Sequence, residues 1–291
     1  RRSRPRRLDR FVRAAMKQRF SKMHGIGNDF VIVDCRERPF ALTAQQIAHI
    51  GDRHRGVGFD QLLTIEPATD ASCAFAYRIF NTDGTTAQQC GNGLRCVVAW
   101  LHRAGALPRG AVKLQSPAGP IAIELLDDGR VRADMGMPTF DPPSIPFDAD
   151  REVDEYNIDL DGNSISFGAV SMGNPHAVIE VADVAYAPLK TTGAALSIDP
   201  HFPNGCNAGF AQIIDRKHIR LRVWERGAGA TLACGSGACA AVAILRRRGK
   251  LDDEVTVELP GGTLQIEWAG AGSRLWMSGP AAFAFEGEIE V

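Results

Sequence analysis

Hydrophobic and polar positions along the chain mostly alternate in short runs, and two stretches break the alternation with helical spacing. After Cys90, apolar residues fall at Leu94, Val97, Val98 and Leu101, the i, i+3, i+4, i+7 spacing of one helix face. Gly105 supplies the stop. After Cys234, residues 238–245 are apolar on every side, which predicts a helix enclosed by protein. Arg246, Arg247, Arg248 and Gly249 then give the charge and glycine of a helix C-terminus. A shorter helix capped by Thr43 is predicted over 43–50. The other periodic segments read as strands at 74–80, 112–115, 121–125, 130–134, 165–172, 176–181, 211–214, 219–224, 254–259, 263–268, 274–278 and 281–291. Residues 24–30 read as strand, tight loop, strand, and 56–63 as a glycine-rich loop entering a strand. The proline-rich stretch 135–143 lacks periodicity and is the best linker.

The plan on either side of that linker is the same: short strands, one apolar helix, more strands. A helix that is apolar all round must be enclosed. Each half is therefore expected to wrap a strongly curved sheet around its own helix. The segments before the helices repeat as well. Cys90-Gly91-Asn92-Gly93-Leu94-Arg95-Cys96 returns 144 residues later as Cys234-Gly235-Ser236-Gly237-Ala238-Cys239.

Composition narrows the class. With 291 residues, 45% hydrophobic and 23% charged, the chain has room for two ordinary soluble domains. No apolar run approaches the roughly 20 residues that span a membrane, and residues 1–15 lack the apolar core expected of a secretory signal. Seven cysteines without short framework spacing suggest free thiols in a reducing cytoplasm. The absence of any C-x-x-C pair argues against a zinc site and against thioredoxin-like chemistry. The net charge of −1 hides an asymmetry. Residues 1–15 carry seven arginines and one aspartate, a net +6, leaving −7 on the rest. That body is a poor nucleic-acid binder. The arginine-rich residues 1–15 are expected to lie outside the fold, disordered or non-native, with Met16 as the natural start.

The candidate chemistry lies at the two helix starts. A helix N-terminus offers unpaired N–H groups and a partial positive charge, so it binds anions such as a carboxylate and can lower a thiol pKa. Glycines there keep side chains away from an approaching ligand. Cys90 and Cys234 are therefore candidate acid–base groups. Cys96 and Cys239, inside the helices, read as small buried hydrophobes. Asn28, His176 in the loop 173–176, and the neighbours Glu225 and Arg226 have ordinary structural readings when taken singly.

The blocks at 24–30, 56–62, 80–84 with 90–96, 173–176 and 225–237 together resemble the diaminopimelate epimerase family, over nearly the whole chain from Met16 to Val291. The resemblance implies an α+β fold of two pseudo-symmetric domains, 16–134 with 280–291 and 135–279. Each is a barrel-like sheet around a helix, and the active site lies in the cleft between them. It implies interconversion of LL- and meso-diaminopimelate without cofactor or metal, on the route to lysine and peptidoglycan, by a cytoplasmic homodimer with no nucleic-acid or membrane partner. Cys90 would donate and Cys234 accept the proton in one direction, with the roles exchanged in the other. Two groups on opposite faces are needed because a single base tends to return its own proton.

The N–H groups of Gly91, Asn92, Gly235 and Ser236 would hold the α-carboxylate. Asn28, Asn81, Asn174, Asn207 and Arg226 would hold the distal amino acid centre, with Gln61 as a further binding position. His176 and Glu225 would support catalysis by orienting the reacting amino group. Two positions depart from the pattern. Cys206 is expected as an accessory thiol near the cleft, and Phe285 replaces a tyrosine that supports dimer contacts in some members. The rivals are a proline racemase-like enzyme of the same fold, a thiol peroxidase or redox sensor, and a non-catalytic amino-acid-binding protein.

Overall fold

The computed structural model describes residues 17–88, 90–160 and 162–291. Residues 1–15 and Met16, about which the sequence raised expectations, lie outside the described residues.

Backbone groups of a buried strand need partners, and the chain finds them twice in the same order. In the first half, β1 (Lys17–Gly25) and β2 (Asn28–Asp34) form an antiparallel hairpin, and α1 (Ala44–Gly51) carries the chain across to β3 (Gln61–Glu66), parallel to β2. β4 (Phe75–Asn81) runs antiparallel to β3, and the two-residue β5 (Thr86–Ala87) hangs on it. Then come α2 (Gly91–Arg103), β6 (Gly110–Ser116) parallel to β4, and β7 (Gly119–Leu125) and β8 (Val131–Asp134), each antiparallel to its predecessor. β9 (Tyr156–Leu160) follows, then the second half: β10 (Asn163–Ser171), β11 (Pro175–Glu180), the short α3 (Ala194–Ser197), β12 (Asn207–Asp215), β13 (His218–Glu225), β14 (Gly229–Ala230), α4 (Gly235–Arg247), β15 (Glu254–Leu259), β16 (Gly262–Glu267) and β17 (Trp276–Gly279). β18 (Ala282–Glu290) ends the chain.

The pairings from β10 to β17 repeat those from β1 to β8 step for step. They run antiparallel, parallel, antiparallel, parallel, then antiparallel twice. The two halves meet where β8 pairs antiparallel with β17, Asp134 opposite Trp276. β9 pairs with the first strand of the second half, β10, and β18 pairs with the first strand of the first half, β1. Each half is thus completed by the strand that follows the other half.

The central helices sit where the hydrophobic pattern predicts. α2 buries Leu94, Val97, Val98 and Leu101, and α4 buries every residue of 237–245. Each fully buried aliphatic side chain in them is worth roughly 1.5–3 kcal/mol. Gly105 (φ 69°) and Gly249 (φ 73°) follow the two helices in the left-handed region, which only glycine occupies without cost. Thr43 caps α1 with the reciprocal bond from Gln46, as its sequence position requires. Periodicity did not reveal β9 or the turns over 184–197. These pack with Phe147, Phe167 and Phe202 in a separate aromatic cluster, in which Phe147 lies 4.6 Å from Phe202 and 4.8 Å from Tyr156 between ring centroids.

Candidate active site

The ends of equivalent strands and the starts of α2 and α4 open on one cleft of about 1170 Å³. The strand registers show that its wall is built from matching sets. In the first half, Asn28 begins β2, Gln61 begins β3 opposite Asn81 at the end of β4, and Cys90 precedes α2. In the second half, Asn174 precedes β11, Asn207 begins β12 beside the end of β13 at Glu225, and Cys234 precedes α4. Phe30 pairs with Gln61 as His176 pairs with Asn207.

Both cysteines are N-caps with extended backbone. Cys90 is half-buried. Its Sγ accepts the Gly93 N–H at 3.4 Å and lies 3.8 Å from Asn28 Oδ1. Cys234 is buried, 3.8 Å from Ser236 Oγ, with Glu225 alongside. Burial overrides the lowering expected from the helix ends. It pushes the Cys90 thiol up to about 11, against the help of the Gly93 N–H and with Glu225 adding to the rise. Burial and Glu225 push Cys234 well above the ordinary thiol value. Burial also raises the Glu225 carboxyl, while the Thr231 hydroxyl donates to it at 2.5 Å.

One side chain joins the two helix mouths. Asn92 Nδ2 donates to Asn28 Oδ1 at 3.1 Å and to the Ala233 carbonyl, just ahead of Cys234, at 3.2 Å. Asn28 is oriented in turn by Asp60, whose Oδ2 accepts its Nδ2 at 2.8 Å. Arg53 clamps Asp29 through two bonds of 2.7 and 2.9 Å and reaches Asp60 at 2.7 Å. Burial would raise the Asp29 carboxyl, but Arg53 and Lys22 together hold it below the usual range. Sequence reasoning missed this network, although Asp29 and Asp60 adjoin the candidates Asn28 and Gln61. Gln61 donates to Asn81 at 3.2 Å, which presents both amides to the cleft.

Of the residues expected at the site, Asn28, Gln61, Asn81, Cys90, Gly91, Asn92, Asn174, Glu225, Arg226, Cys234, Gly235 and Ser236 line the cleft, and His176 and Asn207 do not. Asn207 is buried behind the wall, where its Oδ1 accepts the Arg226 N–H at 2.9 Å. His176 is 1% exposed, bonded to Asn174 Oδ1 at 3.1 Å. Burial, with the Arg226 charge, lowers its pKa to about 3, so it is neutral at ordinary pH. Both therefore stand behind the lining rather than in it. They pair with each other on neighbouring parallel strands, each one hydrogen bond from a residue of the lining. Cys206 corrects the expectation. It is fully buried in the aromatic cluster, with its Sγ 3.4 Å from the Leu196 carbonyl, and is no accessory thiol of the cleft.

No group of three or more His, Cys, Asp or Glu side chains among the described residues could hold a metal. No helix among them is long and apolar enough to cross a membrane. A sequence model of the family described as "Diaminopimelate epimerase" matches residues 20–140 and 168–284.

The chain belongs to the diaminopimelate epimerase family.

Among relatives of that name, the protein of Alkalilimnicola ehrlichii is 50% identical over 278 residues, 95% of this chain and all of that one. The protein of Xanthomonas campestris is 51% identical over 271 residues, 93% of this chain and 95% of its own. Among solved structures, a hydroxyproline epimerase from Agrobacterium vitis superposes with a TM-score of 0.68 at 16% identity, over 94% of this chain and 93% of that one. A PhzF-family phenazine biosynthesis protein from Bacillus anthracis gives 0.67 at 18%, over 95% and 100%. At such identity these structures carry the shared two-lobed α+β fold of the diaminopimelate epimerase family and nothing further.

Proposed function

We propose that the protein interconverts LL- and meso-diaminopimelate, with Cys90 and Cys234 as the two acid–base groups. The observation that carries the reading is the placement of both cysteines, each at a helix mouth, on one cleft that Asn92 bridges. One thiolate removes the α-proton from one face, and the opposite thiol delivers another to the other face. The charge built up on carbon and carboxylate meets the N–H groups of Gly91, Asn92, Gly235 and Ser236, which a helix leaves unpaired. Each acid–base group contributes roughly 10²–10⁴-fold.

The methionines Met135 and Met172 give the cleft an apolar wall suited to the carbon chain between the two amino acid centres. Asn28, Gln61, Asn81, Asn174 and Arg226 offer donors and acceptors for the distal centre. Asn207 and His176 act from behind, by holding Arg226 and Asn174. Glu225 is suited to accept from the reacting ammonium.

We assign residues 16–134 with 280–291 to one domain and 135–279 to the other, a division supported by the pairing of β18 with β1. A cytoplasmic homodimer fits seven free cysteines and the half-exposed Phe285, stacked edge-on against Phe20 at 5.9 Å.

The test is hydrogen exchange in deuterated water. Purified protein without added cofactor is expected to place deuterium at one α-carbon of diaminopimelate. Exchange on proline but not diaminopimelate would instead mark a proline racemase-like enzyme. Peroxide turnover without exchange would mark a redox protein, and binding without exchange a binding protein.

A further inference from the structure

Arg95 is one of the largest fully buried side chains of the molecule, and the mechanism above does not use it. It lies on α2, five residues after Cys90. Its Nε donates to the Pro280 carbonyl at 3.2 Å, and Nη1 makes long contacts to the Gly91 carbonyl at 3.4 Å and Met277 Sδ at 3.8 Å. Nη2 has no partner. Space for it is cleared by glycines: a Cβ at Gly25 would lie 3.0 Å from Nη2, and one at Gly279 3.1 Å from Nε.

An arginine stays charged in a protein, and a buried charge without a counter-ion is costly. Burial works against the Arg95 charge, and among the described residues the groups that counter it are thiols, Cys96 and Cys90 at its own helix and Cys239 on α4. In the second cysteine motif the residue matching Arg95 is Cys239, so the cation belongs to one half only. A purely structural role would be filled at lower cost by an apolar side chain of similar volume.

We propose that Arg95 is the countercharge of the cleft, a buried cation kept away from carboxylates so that it stabilises the anions formed or bound at the mouth of α2, the Cys90 thiolate and the substrate carboxylate. This rests on the epimerase reading of the cleft. Arg95 is a positioning residue, acting through Cys90 and the first turn of α2. The other groups that face Cys90 are Glu225, which opposes ionisation, the Gly93 and Asn92 N–H groups, which favour it, the amide oxygen of Asn28 and the buried Tyr77 hydroxyl. None of these is a cation.

The test compares native protein with Arg95→Met, Arg95→Gln and Arg95→Lys. The readout is alkylation of Cys90 by iodoacetamide at pH 8, followed by peptide mass spectrometry. Alkylation needs the thiolate, and one unit of thiol pKa is about tenfold in thiolate below the midpoint. Arg95→Met and Arg95→Gln should alkylate Cys90 about tenfold or more slowly, since an opposite charge shifts a neighbour by about 1–3 units. Arg95→Lys should stay within about threefold of native, and Arg95→Met should raise KM for diaminopimelate more than Arg95→Lys does. Alkylation of Cys90 at the native rate in folded Arg95→Met would overturn the proposal. So would exposure of Cys96 and Cys239 to reagent in both neutral variants, which would make Arg95 a structural group. If native protein fails to exchange diaminopimelate, the epimerase reading falls, while the alkylation comparison still decides the electrostatic role.

Discussion

The two helix mouths are the same object built twice, and they differ in charge. At α2, the thiol is half-buried, touches a neutral amide at Asn28, and has the Arg95 cation behind it. At α4, the thiol is fully buried, has a carboxylate beside it at Glu225, and has Cys239 at the position that Arg95 fills in α2. The register makes the contrast sharper, because the strand-end position filled by Asn81 in one half is filled by Glu225 in the other. Duplication supplied two thiols facing one cleft. Divergence at a few neighbouring positions made their surroundings unequal, which suits the proposed pairing of one thiol with one thiolate.

The largest effect should come from removing either thiol. Cys90→Ala and Cys234→Ala are each expected to lose roughly 10²–10⁴-fold or more in epimerisation, measured by NMR of the product isomer, with near-native melting temperature. A variant that retained activity would break the equivalence of the two mouths. Glu225→Gln should uncouple ionisation from turnover. Cys234 would become easier to alkylate, since the carboxylate that opposes its ionisation is gone, while kcat falls about tenfold or more. Slower alkylation would contradict the assigned asymmetry.

Closure of the two halves is a smaller test. The β1–β2 turn, with Ile26 at φ 48°, packs against the second half where a Cβ at Gly261 would lie 1.8 Å from the Ile26 carbonyl oxygen. Gly261→Ala should wedge the halves apart, costing about 1–3 kcal/mol of stability in denaturant titrations and lowering kcat/KM. Unchanged stability and kcat/KM would show that the halves do not close on this contact.

At neutral pH the smallest effect concerns His176, the one buried histidine among the described residues, whose contribution shows only on acidification. Its folded pKa is lowered to about 3 from 6.5, so the unfolded chain binds the proton more readily. Its stabilising contribution is full above about pH 6.5 and is lost at about 1.4 kcal/mol per unit as pH falls toward 3. That is about 2–4 °C of melting temperature per unit, and His176→Gln should flatten the slope. An unchanged slope in that variant would remove His176 as its source.

Much of this was legible in the sequence. Helical spacing after Cys90 and Cys234, and the glycines around them, located α2, α4 and the two thiols, because those signals are local. The asparagines at strand ends became visible as a set through the family blocks. Burial depth was not legible. Helix-end charge can be read from a motif, but the desolvation that raises both thiols depends on what packs over them. Asn207 and His176 were expected at the surface of the cleft, yet they are buried behind Arg226 and Asn174. Cys206 was expected near the cleft because it adjoins Asn207, but it packs into the aromatic cluster instead. β9 and the turns over 184–197 escaped because an aromatic cluster, rather than a periodic face, holds them. The Arg53 clamp on Asp29 and Asp60 unites residues 24 and 7 positions apart, which no local pattern announces.

The central claim is that one thiol removes the proton and the opposite one delivers its replacement. The direct measurement is a single turnover of LL-diaminopimelate in deuterated water by enzyme pre-equilibrated in that solvent, with the meso product isolated and its α-carbons read by mass spectrometry. The account predicts deuterium at the inverted carbon in the first turnover, since the delivering thiol carries solvent hydrogen. Meso product that keeps its original hydrogen at that carbon would contradict it.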